Sequence, residues 1–226
     1  GAARFAGMAS TLPAGTDAGA PGALAGAPGT MVGMSDLYLS TDARADALLA
    51  ENPFALLTGM LLDQQVTMES AFAGPAKLAE RLGGYSPALV ADMDPEAFLA
   101  AFREKPAVHR FPKSMAERVQ KLAAAICSDY DGDAAALWTA GDPDGSEVLR
   151  RLRALPGFGE QKAKIFLALL GKQFDLRAAG WEAAAGEYGA PEARLSIADV
   201  VDEHTLAEVR ATKQARKAAA KAQKKR

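Results

Sequence analysis

The chain has one cysteine, Cys127, in 226 residues. One thiol excludes a disulfide framework and any metal cluster held by several thiolates, and it points to a reducing compartment, the cytoplasm. There are two histidines, His109 and His204, far apart and without ligand spacing, so no metal or other cofactor is expected. No run of 18 or more apolar residues occurs, so no membrane span is expected. Alternation of apolar and polar residues never persists over five positions, and no internal repeat of solenoid length shows. What remains is a chain 49% hydrophobic and 24% charged, enough apolar material for a real core.

Charge is unevenly spread. The first 33 residues hold 10 Ala, 8 Gly and 3 Pro, with Arg4 and Asp17 the only charges. That composition buries too little surface to offset ordering, so 1–33 is expected to be a disordered leader. At the other end, residues 213–226 carry seven basic side chains and no acidic one, while the other 212 residues carry 19 basic and 28 acidic. A basic tail on an acidic body suits an anionic partner, nucleic acid being the commonest, or a solvated helical end. The folded part is expected to span 34–212.

Between these ends the signals are helical. Thr41 or Asp42 is a plausible cap for a helix over 42–50, and Asn52-Pro53 breaks it. Apolar positions 54, 57, 61, 62, 68 and 72 follow helical spacing, with Val66-Thr67 as a point of interruption. Gly74-Pro75, Ser86-Pro87, Asp94-Pro95 and Ser114 read as further starts. Shorter helices are expected over 133–138, 145–155 and 159–171, then a loopier stretch over 172–203 and helix again from Thr205. The fold class is all-α.

One stretch bears on chemistry. Leu155 to Ala163 reads LPGFGEQKA, a bare turn between two apolar, helix-like runs. Pro156 fixes one dihedral, and Gly157 and Gly159 allow backbone shapes that other residues avoid. The turn opens a helix whose first amides lack intrahelical partners and sit at the positive end of its dipole. A phosphate can reach such a backbone directly, with Lys162 and Lys164 adding charge. Phe158 suits an anchor in the core better than a stacking platform.

These residues resemble the helix-hairpin-helix/Gly-Pro-Asp (HhH-GPD) superfamily of DNA glycosylases. Three further stretches match it in order. Met60 to Val66 (MLLDQQV) is similar to its apolar helix ending in a Gln-rich turn. Phe111 to Tyr130 (FPKSMAERVQKLAAAICSDY), followed by Gly132, is similar to its helix of pattern R-x-K-A-x-x-I-x-x-L-A. Glu147 to Gly171 is similar to its hairpin unit. The likeness covers about residues 45–175. It implies a two-lobed all-α fold with a cleft between the lobes and a hairpin that grips one DNA strand through Gly157, Phe158, Gly159, Gln161, Lys162 and Lys164. A nucleotide would be flipped into the cleft, and Gln65 or Gln64 would be the wedge that fills the vacated space. The implied partner is double-stranded DNA with a damaged or mispaired base, met by a monomer at the nucleoid.

The sequence departs from that pattern where the chemistry lies. The lyase members carry lysine at the hairpin's seventh position; here it is Gln161, and one residue on, at Lys162, a helix has turned by about 100°. A Schiff-base lyase is therefore not expected. The family's catalytic aspartate falls at Ala179, or at Ala178 when Gly171 sets the register. Asp175 is the nearest carboxylate, and Asp63, inside an apolar helix beside the wedge, is the other candidate acid. Asp63 is equally readable as a cap on a broken helix or a partner of Arg110 or Lys113. His109 and Trp181 suit capping and core packing better than catalysis. The four-cysteine iron–sulfur loop of some relatives is impossible with one cysteine. The reading is a monofunctional glycosylase acting in base excision repair, the alternative being a catalytically silent sensor of lesions or DNA structure with the same fold.

Overall fold

The computed structural model describes residues 37–223. The expected leader 1–33 and the last three residues of the basic tail lie outside them. The described chain contains α-helices and two short 3-10 turns, and no strand. In order the helices are α1 (Ala43–Glu51), α2 (Pro53–Leu62), α3 (Met68–Phe72), α4 (Gly74–Leu82), α5 (Pro87–Asp92) and α6 (Pro95–Arg103). Then come α7 (Pro112–Tyr130), α8 (Ala136–Thr139), α9 (Gly145–Ala154), α10 (Glu160–Gln173), α11 (Trp181–Ala185) and α12 (Glu203–Gln223). None is long and apolar enough to cross a membrane.

The starts are written locally. Asp42, Asn52, Ser86, Asp94 and Asp144 each accept a backbone N–H from the first turn of the helix that follows. Pro53, Pro87 and Pro95 occupy first-turn positions, where no amide is needed. The apolar run from Phe54 to Phe72 is two helices: α2 stops at Leu62, residues 63–67 form a turn, and Thr67 caps α3. The helix expected over 133–138 shrinks to the four residues of α8, and α7 begins two residues ahead of Ser114. The loopier stretch 172–203 holds α11 and the 3-10 turns Gly186–Gly189 and Ile197–Asp199.

Two helices organise the packing. α2 is buried at every position from Phe54 to Leu62, which fits its all-round apolar sequence, and packs against α1, α3, α4 and α7. α10 buries Ala163 and Phe166 to Leu170 against α9, α11 and both 3-10 turns. Trp181 packs here through close approach. A Cβ at Gly171 would lie 2.5 Å from its ring, and one at Gly145 2.4 Å from its Cα. The segment that would carry the family's aspartate is thus structural. Ala178 is buried and the Ala179 carbonyl accepts the amide of Gly145 at 2.8 Å.

Candidate functional site

The turn Leu155 to Gly159 joins α9 to α10. Gly157 has φ +85°, a left-handed conformation that favours glycine. The Phe158 side chain is buried, its ring edge-on to Phe166 at 5.9 Å, so it anchors the turn and leaves the tip bare. Gly159 is exposed, and a Cβ there would meet nothing within 4 Å. The first helical bond of α10 is the Ala163 amide to the Gly159 carbonyl at 2.9 Å, and no side chain caps the helix. The amides of the first turn are therefore free for an anion, with the helix dipole behind them. Lys164, near this end, pairs with Glu160 at 2.8 Å.

Lys162 does something different from what the phosphate-grip reading expects. Its side chain turns inward, and Nζ donates to the carbonyls of Met60, of Leu61 at 3.3 Å and of Asp63 at 3.4 Å. These are the carbonyls left over at the C-terminus of α2, so a lysine some hundred residues away in sequence caps that helix. Burial pulls its ammonium down to about 8, with Asp63 pulling the other way.

A cavity of about 410 Å³ lies where α2 ends against α10 and α12, within the roughly 300–1,000 Å³ of small-ligand sites. Asp63 and Met60 form one wall, Gln161, Lys162 and Ile165 of α10 a second, and Tyr188 and Leu195 with Lys213 and Arg216 of α12 the remainder. Asp63 is partly buried at the end of α2, and its carboxylate has no hydrogen bond or ion pair among the described residues. Burial pushes its pKa above the usual carboxylate value, against the pull of Lys213 and Lys162 and with a push from Glu69. Gln161 donates its side-chain amide to the Tyr188 hydroxyl at 2.9 Å. Two consecutive residues of α10 thus face the same cavity, Gln161 across it and Lys162 at its base.

The glutamines differ in freedom. The Gln64 amide donates to the Leu61 carbonyl at 2.6 Å and its Oε1 accepts from Arg118 at 2.9 Å. Gln65 is exposed at the tip of the turn with φ +57°, and its side chain has no partner among the described residues. His109 braces the same turn from below. Its Nδ1 accepts the Phe111 amide at 3.1 Å, which leaves Nε2 to donate to the Gln64 carbonyl at 3.0 Å. Burial lowers the His109 pKa, in keeping with a neutral ring.

Asp175 is not brought to this place. It is exposed, has φ +53°, pairs with Arg177 at 2.5 Å, and lines a separate cavity with Trp138, Leu170 and Phe174. Tyr188, Lys213 and Arg216 escape sequence reasoning as site residues. Tyr188 sits in the loopier stretch, and the two cations read as a tail. The described part of the tail, 213–223, continues the helix expected from Thr205: α12 runs from Glu203 to Gln223, with Arg210 tied to Glu69 and Arg216 to Glu187 at 3.1 Å.

The order of these parts is that of a known family. The model of the HhH-GPD superfamily of base excision DNA repair proteins matches residues 58–226. Searches of the curated proteins and of the solved structures return no match. The match takes in the end of α2, the turn with Gln65, the hairpin, the cavity and α12, three quarters of the chain, and the chain belongs to the HhH-GPD superfamily of base excision DNA repair proteins.

Proposed function

We propose that this protein is a monofunctional DNA glycosylase, acting as a monomer on double-stranded DNA that holds a damaged or mispaired base. The observation that carries the reading is the position of Asp63: a carboxylate without an ion-pair partner among the described residues, in a base-sized cavity, two residues from the exposed Gln65 and beside the hairpin. The first-turn amides of α10, with Gly157 and Gly159, would hold phosphates of one strand, and Lys164 would add charge. Gln65 would enter the stack as the nucleotide swings into the cavity, with Gln64 fixing the shape of the turn.

The chemistry follows from the lining. As the C1′–N bond breaks, its electron pair leaves with the base and positive charge develops on the sugar. The Asp63 carboxylate stabilises that charge. A water oxygen then bonds to C1′, and the proton it sheds passes to Asp63. Burial lowers the Lys162 pKa to about 8, but its Nζ is engaged with three carbonyls of α2, which opposes its use as a Schiff-base nucleophile; hydrolysis is the reaction the arrangement favours.

The test is base release from a panel of damaged duplexes under single turnover, alongside duplex affinity across a salt series. Release of a base from at least one duplex, with log affinity falling linearly in log salt, is expected. A flat salt dependence would overturn the phosphate grip. Salt-dependent binding with no release from any duplex would overturn the enzyme and leave a silent sensor.

A further inference from the structure

The cavity at Asp63 is distinguished by its charge. Four of its lining side chains are of charged types: Asp63, Lys162, Lys213 and Arg216. Three are cations. Asp63 is the one anion among them and feels both Lys213 and Lys162, and Arg216 is balanced by Glu187. Lys213 has no ion-pair partner among the described residues, so the lining keeps a positive excess. Its placement is built in. Arg210, Lys213 and Arg216 recur at three-residue spacing on α12, and the outer two are tied to Glu69 and Glu187. Lys213 lies on the helix between the two ties, an exposed side chain at the cavity's lining. The lining also holds a single aromatic ring, that of Tyr188.

We propose that this cavity takes a neutral, carbonyl-rich base, of the deaminated or oxidised kind, and turns away cationic N-alkylated purines, and that Lys213 of the C-terminal helix makes the choice. This rests on the glycosylase reading above. A carbonyl-rich base leaves as an anion when it takes the electron pair of the C1′–N bond, with the charge spread over its oxygens. Lys213 and Arg216 stabilise that charge until the released base takes a proton from solvent. A cationic purine still carries positive charge in the transition state and meets the same side chains as repulsion. Among the described residues the lining offers such a cation one aromatic ring, Tyr188, and not the several ring faces that would compensate it.

The experiment compares single-turnover kcat/KM for release of uracil, hypoxanthine and an oxidised pyrimidine with that for 7-methylguanine and 3-methyladenine in one duplex context, in the full chain and in Lys213→Glu. Affinities are read in parallel on duplexes whose target sugar carries a 2′-fluorine that blocks base loss, each relative to undamaged duplex. The neutral bases should be preferred by tenfold or more, and Lys213→Glu should cut that ratio by at least tenfold. Lys213→Arg should restore it. Preference for the alkylated purines, or a ratio unmoved by Lys213→Glu, overturns the inference while leaving base release standing. If no base is released at all, the glycosylase reading fails, and the fluorinated duplexes still decide the matter of charge: equal affinity for neutral and cationic bases overturns the inference, and tighter binding of the neutral ones supports it.

Discussion

Asp63 and Asp175 are the two carboxylates that the sequence offers as the acid, and the molecule treats them differently. Asp175 is exposed and spends its charge on Arg177, at 2.5 Å. Such surface pairs are worth about 0–1 kcal/mol, and the carboxylate gains little from its place. Asp63 closes an apolar helix, lines a cavity, and has no carboxylate partner among the described residues, while Lys213 and Lys162 stand near enough to favour its ionised form. A fold tolerates a shielded, unpaired charge only where something else requires it. The comparison teaches that nearness in sequence to the family's usual aspartate position does not by itself bring a carboxylate to the cavity at the end of α2: the loop bearing Ala178 and Ala179 is tied down to α9 and Trp181, and Asp175 lines a separate cavity.

The largest effect should separate the two directly. Asp63→Asn is expected to slow base release by roughly 10²–10⁴-fold, the usual worth of a positioned acid or base, with duplex affinity unchanged. Asp175→Asn should stay within about twofold of the parent on the same single-turnover assay. The comparison collapses if the two variants lose activity equally, or if Asp175→Asn is the slower.

Local features were legible in the sequence and tertiary ones were not. The capped starts at Asp42, Asn52, Ser86 and Asp94, and the hairpin at Gly157 and Gly159, depend on neighbours a few residues away. The reach of Lys162 depends on how α10 is rotated against the end of α2, and the same 100° turn that removes Lys162 from the lyase register carries it under the helix end. Tyr188 and Lys213 reach the cavity only because a loop and a terminal helix close over it, and no spacing rule connects either with Asp63. Asp63 itself was visible as a charge inside an apolar run, though as a cap or ion-pair partner as readily as an acid. The structure makes Asp63 the C-cap residue of α2, its amide donating to the Gly59 carbonyl at 3.1 Å while Lys162 donates to further carbonyls there, and shows no ion pair from Asp63 to Arg110 or Lys113.

A middle-sized effect contrasts the hairpin with the cavity behind it. Gly159→Val adds a side chain into open space at φ −76°, so thermal stability should hold while duplex affinity falls by roughly tenfold, about 1.4 kcal/mol. Gly157→Val forces a branched side chain to φ +85° and toward Leu61, and should also cost roughly 1–2 kcal/mol of folding stability. Duplex titration beside thermal melting reads both. A Gly159→Val protein that binds as tightly as the parent would remove the hairpin from the interface.

The smallest effect tests whether Asp63 is kept for function at the expense of stability. Its pKa in the folded chain is raised by burial, so the folded state holds its proton more tightly than the unfolded chain does. Stability is then lost as pH rises from the ordinary aspartate value, about 3.9, through the raised one, and stays reduced above it. Asn carries no charge to bury and is insensitive to that change. Asp63→Asn should therefore melt above the parent at pH 7.5, by about 2–4 °C for each kcal/mol recovered in a domain of this size. The gap should close as pH is lowered toward 4. A lower melting point for Asp63→Asn at neutral pH would make Asp63 a structural anchor whose ammonium neighbours outweigh its burial, and would remove the physical reason for placing the acid there.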